Sequence, residues 1–205
     1  MHKRLLRLAV VAAVVGAATF AVVPAIARTG VDPSTLNPPP PDFFNAQCYL
    51  GAGGTICTLA FSDDPIVGES SGIMCGTTEL LFSQTRSVVG KRFYDGDRNL
   101  VQRHFREQLD GTYSNPVTHR SVNWTQDDTV IHNLAVPGDL STGTEKIAGL
   151  IRVSSGGSTI LIDAGTVVLD AGTGEILHSS GPHPFQDYFE NGNLSALQPI
   201  CDAVA

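Results

Sequence analysis

The chain has 205 residues, with 13 Lys and Arg against 20 Asp and Glu, for a formal net charge of −7. That length suits one domain, and the acidic balance excludes a nucleic-acid-binding surface, which needs clustered Lys and Arg against phosphate. With 42% hydrophobic and only 16% charged residues, the composition also excludes a disordered chain.

Residues 1–27 read as an export signal. Lys3, Arg4 and Arg7 form a positive start, and 8–23 is an apolar or glycine run interrupted only by Thr19. Pro24 breaks any helix, and Ala25-Ile26-Ala27 has the small-x-small form that precedes signal cleavage. The alternative is a retained N-terminal membrane anchor, but the run is shorter than the roughly 20 residues that span a bilayer. Cleavage after Ala27 would take Lys3, Arg4 and Arg7 with it, shift the net charge to −10 and leave no stable membrane span. The expected location is secreted, outside the cytoplasm.

Residues 28–47 read as a proline-rich linker. Pro33 and the run Pro38 to Pro41 favour an extended, solvated and mobile backbone over packing. The remainder, 48–205, reads as a single β domain. Its four cysteines, Cys48, Cys57, Cys75 and Cys201, are even in number and lack zinc-ligand spacing, so two disulfides are expected in an oxidising compartment. Three connectivities are possible. The reading adopted is Cys57 with Cys75 locally and Cys48 with Cys201 joining the ends.

Short strands are predicted over 55–62, 78–84, 87–94, 99–109, 120–126, 129–136, 145–154, 159–169 and 175–179. Between them lie turn residues such as Asp95-Gly96-Asp97, Asn115-Pro116, Asp127-Asp128, Pro137-Gly138-Asp139, Ser155-Gly156-Gly157 and Gly172-Thr173-Gly174. Connections this short join antiparallel neighbours. The predicted fold is therefore all-β, an antiparallel meander closing into a barrel, with a two-sheet β-sandwich as the alternative. Helix is confined to the tail, over 184–190 and 195–203. Alternation puts Val122 with Trp124 on one face, Val130 with His132, Leu134 and Val136 on another, and Ile160 with Ile162, Ala164 and Val168 on a third. These are the predicted core.

The patterns that carry chemistry are sparse. No Gly-x-Ser-x-Gly elbow is present, and cysteines committed to bridges leave no thiol nucleophile. The adjacent pairs Asp63-Asp64 and Asp127-Asp128 read as turn caps rather than acid–base couples. Asp95, Asp97 and Asn99 imitate the start of a calcium loop, but Leu100 stands where glycine is wanted and Arg106 where glutamate is needed. His178, His183 and Asp187 match no metal-binding spacing. No metal and no cofactor is expected.

The same period-2 pattern places Arg103 and Glu107 on the face of Phe105 and Leu109, His132 on an apolar face, and Asp163 with Leu161, Val167 and Leu169. If these faces point inward, Arg103, Glu107, His132 and Asp163 form a polar cluster in a barrel lumen, an arrangement that can hold a ligand. The leading expectation is a secreted, non-enzymatic β-barrel that binds a small apolar or amphipathic molecule or a cell-envelope component. One alternative is a secreted hydrolase or cyclase with acid–base residues drawn from Glu107, His132 and Asp163. Another is an extracellular protein-binding or inhibitor module acting through a surface loop at 137–144 or 181–188.

Tyr94-Asp95-Gly96-Asp97-Arg98-Asn99-Leu100, Arg103-His104, Gly111-Thr112-Tyr113 with Asn115-Pro116, Pro137-Gly138-Asp139-Leu140 and Gly181-Pro182-His183 together resemble small secreted actinobacterial proteins of unknown function. The likeness runs from about Cys48 to Cys201. It implies export and an all-β domain, and transfers no activity. The strand succession also resembles the barrels of the allene oxide cyclase and dirigent kind, in architecture alone.

Overall fold

Turn chemistry sets the strand order. Asp95 Oδ1 accepts from the backbone N–H groups of Asp97 and Asn99 at 3.0 and 2.8 Å, closing a tight loop. Asp139 and Asp170 cap their loops in the same way. A computed structural model describes residues 29–205, and the export signal at 1–27 lies outside the described residues. The strands are β1 (Gly30–Val31), β2 (Gln47–Gly51), β3 (Gly54–Ser62), β4 (Ile66–Cys75), β5 (Thr78–Tyr94), β6 (Leu100–Ser114), β7 (Ser121–Asn133), β8 (Thr144–Ser155), β9 (Ser158–Asp170) and β10 (Ile176–Ser180). Two short helices follow, α1 (Pro184–Phe189) and α2 (Gln198–Val204), with a 3₁₀ turn at Leu194–Leu197 between them.

All ten strands belong to one antiparallel sheet, in the order β1-β2-β3-β5-β6-β7-β8-β9-β10, with β4 paired to β5 beside β3. The seventeen-residue β5 pairs its second half with β3 and its first half with β4. A break expected near 85–86 therefore falls in the partner, at Asp63–Pro65, and not in β5. β7 likewise runs unbroken through Asp127-Asp128, which corrects their reading as a turn. The sheet is not closed: among the described residues no pairing joins the β1 end to the β10 end. The strands thus form one antiparallel sheet, and the expected closure is not seen in its pairing. Its terminal strands have two and five residues, too short to zip the edges together.

One face of this sheet is covered, by different material at its two ends. At one end Ile73, Leu80, Val122, Trp124 and Val153 of the sheet bury against Tyr188, Leu197, Ile200 and Val204 of the helical tail. Each fully buried aliphatic side chain there contributes about 1.5–3 kcal/mol. At the other end the segment before β2 folds back over the sheet, so the solvated, mobile linker expected at 28–47 is corrected to a packed cover. Leu36 is buried with Cys48, Cys57, Tyr94 and Leu100, and Phe44 with Leu59, Val88 and Phe105. Prolines suit this position because they bring no N–H to satisfy. Their carbonyls are used: Pro38 O accepts from Tyr94 at 3.0 Å and Pro39 O from Arg92 at 3.2 Å.

The disulfides are Cys48–Cys57, which face each other across β2 and β3, and Cys75–Cys201, which ties the end of β4 to α2. The adopted pairing is thus corrected in both bridges. Cys57 and Cys75 lie on separate strands that share β5 as their neighbour without pairing with each other, and the cysteine-bearing chain ends lie at opposite ends of the covered face. On β9 the face turned to the cover carries Leu161, Asp163, Val167 and Leu169. Of the expected core set, Ile160 does pack against the core, whereas the alternation that was to carry Ile162, Ala164 and Val168 inward is corrected, with Ile162 47% exposed. The register shift at Val153/Ser154 is the irregularity that lets the sequence neighbours Ile160 and Leu161 both pack against the core.

Candidate functional site

Antiparallel register stacks the covered face into cross-strand rows, spaced by two residues or roughly 6.7 Å. The first row, under the proline cover, runs Arg92, Arg103, His132 and Glu145 across β5 to β8. The second runs Gly90, Phe105, Val130, Ile147 and Val167, and the third Val88, Glu107, Asp128, Gly149 and Gly165. Arg86, Leu109, Gln126, Ile151 and Asp163 make the fourth. Arg103, Glu107, His132 and Asp163 therefore share one face of the sheet, but they are divided among three separate hydrogen-bonded groups.

The first group is anchored by His132, which is fully buried. The Arg103 Nε–H donates to His132 Nδ1 at 3.0 Å. A guanidinium only donates, so Nδ1 must accept and Nε2 carries the ring proton, given to Thr142 O at 2.9 Å. Both nitrogens are committed, and His132 serves to fix Arg103. The guanidinium of Arg103 also pairs with Glu145 at 3.2 Å. Burial lowers its pKa, Glu145 opposes the shift, and the charge of Arg92 adds to it.

The second group joins Glu107 to Arg86 at 2.8 Å, with Asp63 on the same guanidinium at 3.1 Å. Burial disfavours the charge of Arg86, but these two carboxylates outweigh it and raise the pKa. The third group lies in the fourth row: Asp163 Oδ1 meets His183 Nδ1 at 3.0 Å, and Oδ2 accepts from the Phe185 N–H at 3.1 Å. His183 Nε2 faces Ser180 O at 3.0 Å. This group pins the start of α1 to β9. Among the described residues no cluster of three or more His, Cys, Asp or Glu is arranged to hold a metal.

Asp128 sits at the centre of the face and was missed by sequence reasoning, which made it a turn cap. Continuing the alternation from Val122 and Trp124 through 126 puts it on the inner face, and that signal was available. Three glycines let neighbours lie flat on this sheet. A Cβ on Gly90 would meet the Phe105 ring at 2.4 Å, one on Gly111 the Trp124 indole at 2.7 Å, and one on Gly149 the Asp128 carboxyl at 1.6 Å. The first two are aromatic caps over strand glycines. The third lays a carboxyl across β8 in the same manner. Burial raises the Asp128 pKa, the hydrogen bond from Gln126 opposes that shift, and the charges of Glu107, Asp163 and Asp127 add to it. Asp127, on the opposite face, is exposed and pairs with Arg106 at 2.9 Å, a hydrogen bond that lowers its pKa.

Two cavities meet at Asp128 and Ile147. The larger, about 650 Å³, is an open groove over the first three rows, roofed by Pro41, Phe43, Phe44 and Leu140 and walled by Phe61 and Phe105. Phe44 packs edge-on to Phe61 with centroids 4.8 Å apart and stacks towards Phe105 at 6.0 Å. Phe43, 60% exposed, forms the lip. The smaller, about 260 Å³, lies over Gly149, Gly165 and Asp163 and is bounded by His183, Gln186 and Glu190. The arrangement interleaves aromatic rings with fixed charges, Arg86 lying over Phe61 and Arg103 over Phe105. Two of its four aromatic rings, Phe43 and Phe44, come from the segment that sequence reasoning had set aside as a linker.

No family model, curated protein or solved structure matches the chain. The site is therefore read from its own chemistry. Two disulfides are in keeping with an extracellular or otherwise oxidising environment. Among the described residues no helix is long and apolar enough to cross a membrane.

Proposed function

We propose that this chain is a secreted protein that binds a small amphipathic molecule in the groove between its proline-rich cover and the sheet, in the manner of a partly opened β-barrel. The observation that carries the reading is the groove of about 650 Å³, lined by Phe43, Phe44, Phe61 and Phe105 together with paired charges. That size and mixed lining suit a small organic ligand. The leader at 1–27 and the oxidised cysteines support export. A cell-envelope component is one source of such a ligand.

The neutral dye N-phenyl-1-naphthylamine tests this reading, since it fluoresces on entering an apolar site. Saturable, one-to-one binding is expected, and Ile147→Trp, which fills the groove, should abolish it while the disulfide-bonded fold still melts cooperatively. Dye fluorescence that never saturates, or binding that ignores the substitution, rejects the groove as a site.

A second reading, a hydrolase or cyclase, draws support from one pair. Glu107 and Asp128 stand directly opposite each other on β6 and β7. The first is held by Arg86, while burial raises the pKa of the second. Two carboxyl groups in unlike surroundings can divide the roles of base and acid. Asp128→Asn and Glu107→Gln would then each stop turnover of a bound molecule, followed by mass spectrometry, and leave dye binding intact.

A further inference from the structure

The covered end of the groove holds a cation without a counter-ion. Arg92 and Arg103 are direct cross-strand neighbours on β5 and β6, a placement in which like charges repel. Arg103 is answered by Glu145 and by the acceptor nitrogen of His132. Arg92 is not. It is 3% exposed, and its Nη1 donates to Pro39 O at 3.2 Å. The Tyr94 hydroxyl lies beside it, and its Nε is buried with no partner. Among the described residues no carboxylate forms an ion pair with it. Neutral oxygens alone compensate a buried guanidinium poorly. Both arginines line the groove.

We propose that Arg92, with Arg103 beside it, is the anion-recognition site of the groove, and that the ligand is a small organic acid. Its carboxylate sits on Arg92 and its apolar body lies across Phe44, Phe61 and Phe105. This rests on the groove being a ligand site. A ligand carboxylate in the groove supplies the counter-charge that the Arg92 guanidinium lacks, and the planar guanidinium fork matches carboxylate geometry. Arg86 and Arg103 already have carboxylate partners and Arg92 has none, so a single carboxylate answers the one unpaired guanidinium. Glu107, Asp128 and Glu145 also line the groove and disfavour any further negative charge, which limits the ligand to a monoanion. A dianion such as a phosphate monoester would place a second negative charge near Glu145 and Glu107. The body is limited in length by the acidic third row, two rows from Arg92, so a ring or short chain fits and a long acyl tail does not.

Isothermal titration with three probes of one shape and different head groups separates the possibilities: 3-phenylpropionate, 3-phenyl-1-propanol and 3-phenylpropylammonium. The acid should bind about tenfold or more tighter than the alcohol, and the ammonium weakest. Arg92→Met removes the unpaired charge while keeping an apolar stem, so it should fold. It should reduce the acid to within about twofold of the alcohol and leave alcohol and dye binding unchanged. Arg92→Lys, which keeps the charge but loses the fork, should fall between. Equal affinity for acid and alcohol in the parent protein, or an Arg92→Met variant that weakens both alike, overturns the anion site and leaves the groove reading standing. Failure of all three probes together with N-phenyl-1-naphthylamine overturns both.

Discussion

The two ends of the covered face are built on one sheet and finished in opposite ways. At the helical end, Leu197, Ile200 and Val204 are 0% exposed and fill the space over Trp124 and Val153. At the proline end, the cover touches the sheet through Leu36 and Phe44 but leaves a groove between itself and a row of charged residues. The difference teaches that coverage alone does not make a core. A helix brings an apolar stripe that interdigitates with the sheet, whereas a proline run brings carbonyls, which call for donors such as Arg92 and Tyr94 beneath them. One end stabilises the molecule and the other keeps a site.

The largest expected difference concerns the disulfides that serve each end. Cys75–Cys201 closes a separation of 126 residues at the helical end, and Cys48–Cys57 one of 9 at the proline end. In the loop-entropy account their loss costs about 5 and about 3 kcal/mol. Paired Cys→Ser variants compared by urea unfolding should show this order. The reverse order would mean that the helical tail folds onto the sheet without its tether.

Truncation should separate core from site. Ile200→Ala is expected to cost about 3 kcal/mol, as for a fully buried aliphatic side chain. Phe44→Ala should cost about half that, because the groove already leaves part of the ring without contacts. Equal losses in chemical denaturation would argue that the groove closes in solution.

Within the first row, Arg103→Met should destabilise by about 2 kcal/mol, since it strands the buried His132 and Glu145 together. Arg92→Met should change stability by less than about 1 kcal/mol in either direction, as it removes a charge that nothing neutralises. Thermal melts of the two variants decide the matter. Similar losses would show that Arg92 is compensated in the free protein.

The smallest effect belongs to Asp128. Its folded-state pKa is raised, chiefly by burial, so the folded protein holds this proton more tightly than the unfolded chain. Stability is thus lost as pH rises from the ordinary carboxyl range, about 3.9, through the raised value, and is unaffected below that range. Asp128→Asn should melt about 2 °C above the parent at pH 7, a modest gain for a half-buried group, and match it below about pH 3.5. Parallel melting curves at every pH would make Asp128 an ordinary surface carboxylate.

Much of this molecule was legible in local pattern. Alternation located most of the strands and put Arg103, Glu107, His132 and Asp163 on faces that the structure turns the same way. Turn residues and the even cysteine count pointed to an antiparallel, oxidised fold. These features depend on neighbours one to three residues apart, and a single chain displays them directly. Other features depended on what meets what across the sheet. Asp127-Asp128 has the composition of a turn, but pairing with Arg106 and with the Gly149 hollow holds it inside β7. β4 and its bridge to α2 were hidden because Gly68 and Gly72 interrupt the alternation. The proline segment has the composition of a linker, and the burial of Leu36 and Phe44 together with the donors of Arg92 and Tyr94 makes it a roof. Sequence periodicity determined which side chains share a strand face. Tertiary pairing decided which cysteines meet, which end is filled and which is left open, because those outcomes depend on contacts between residues far apart in the chain.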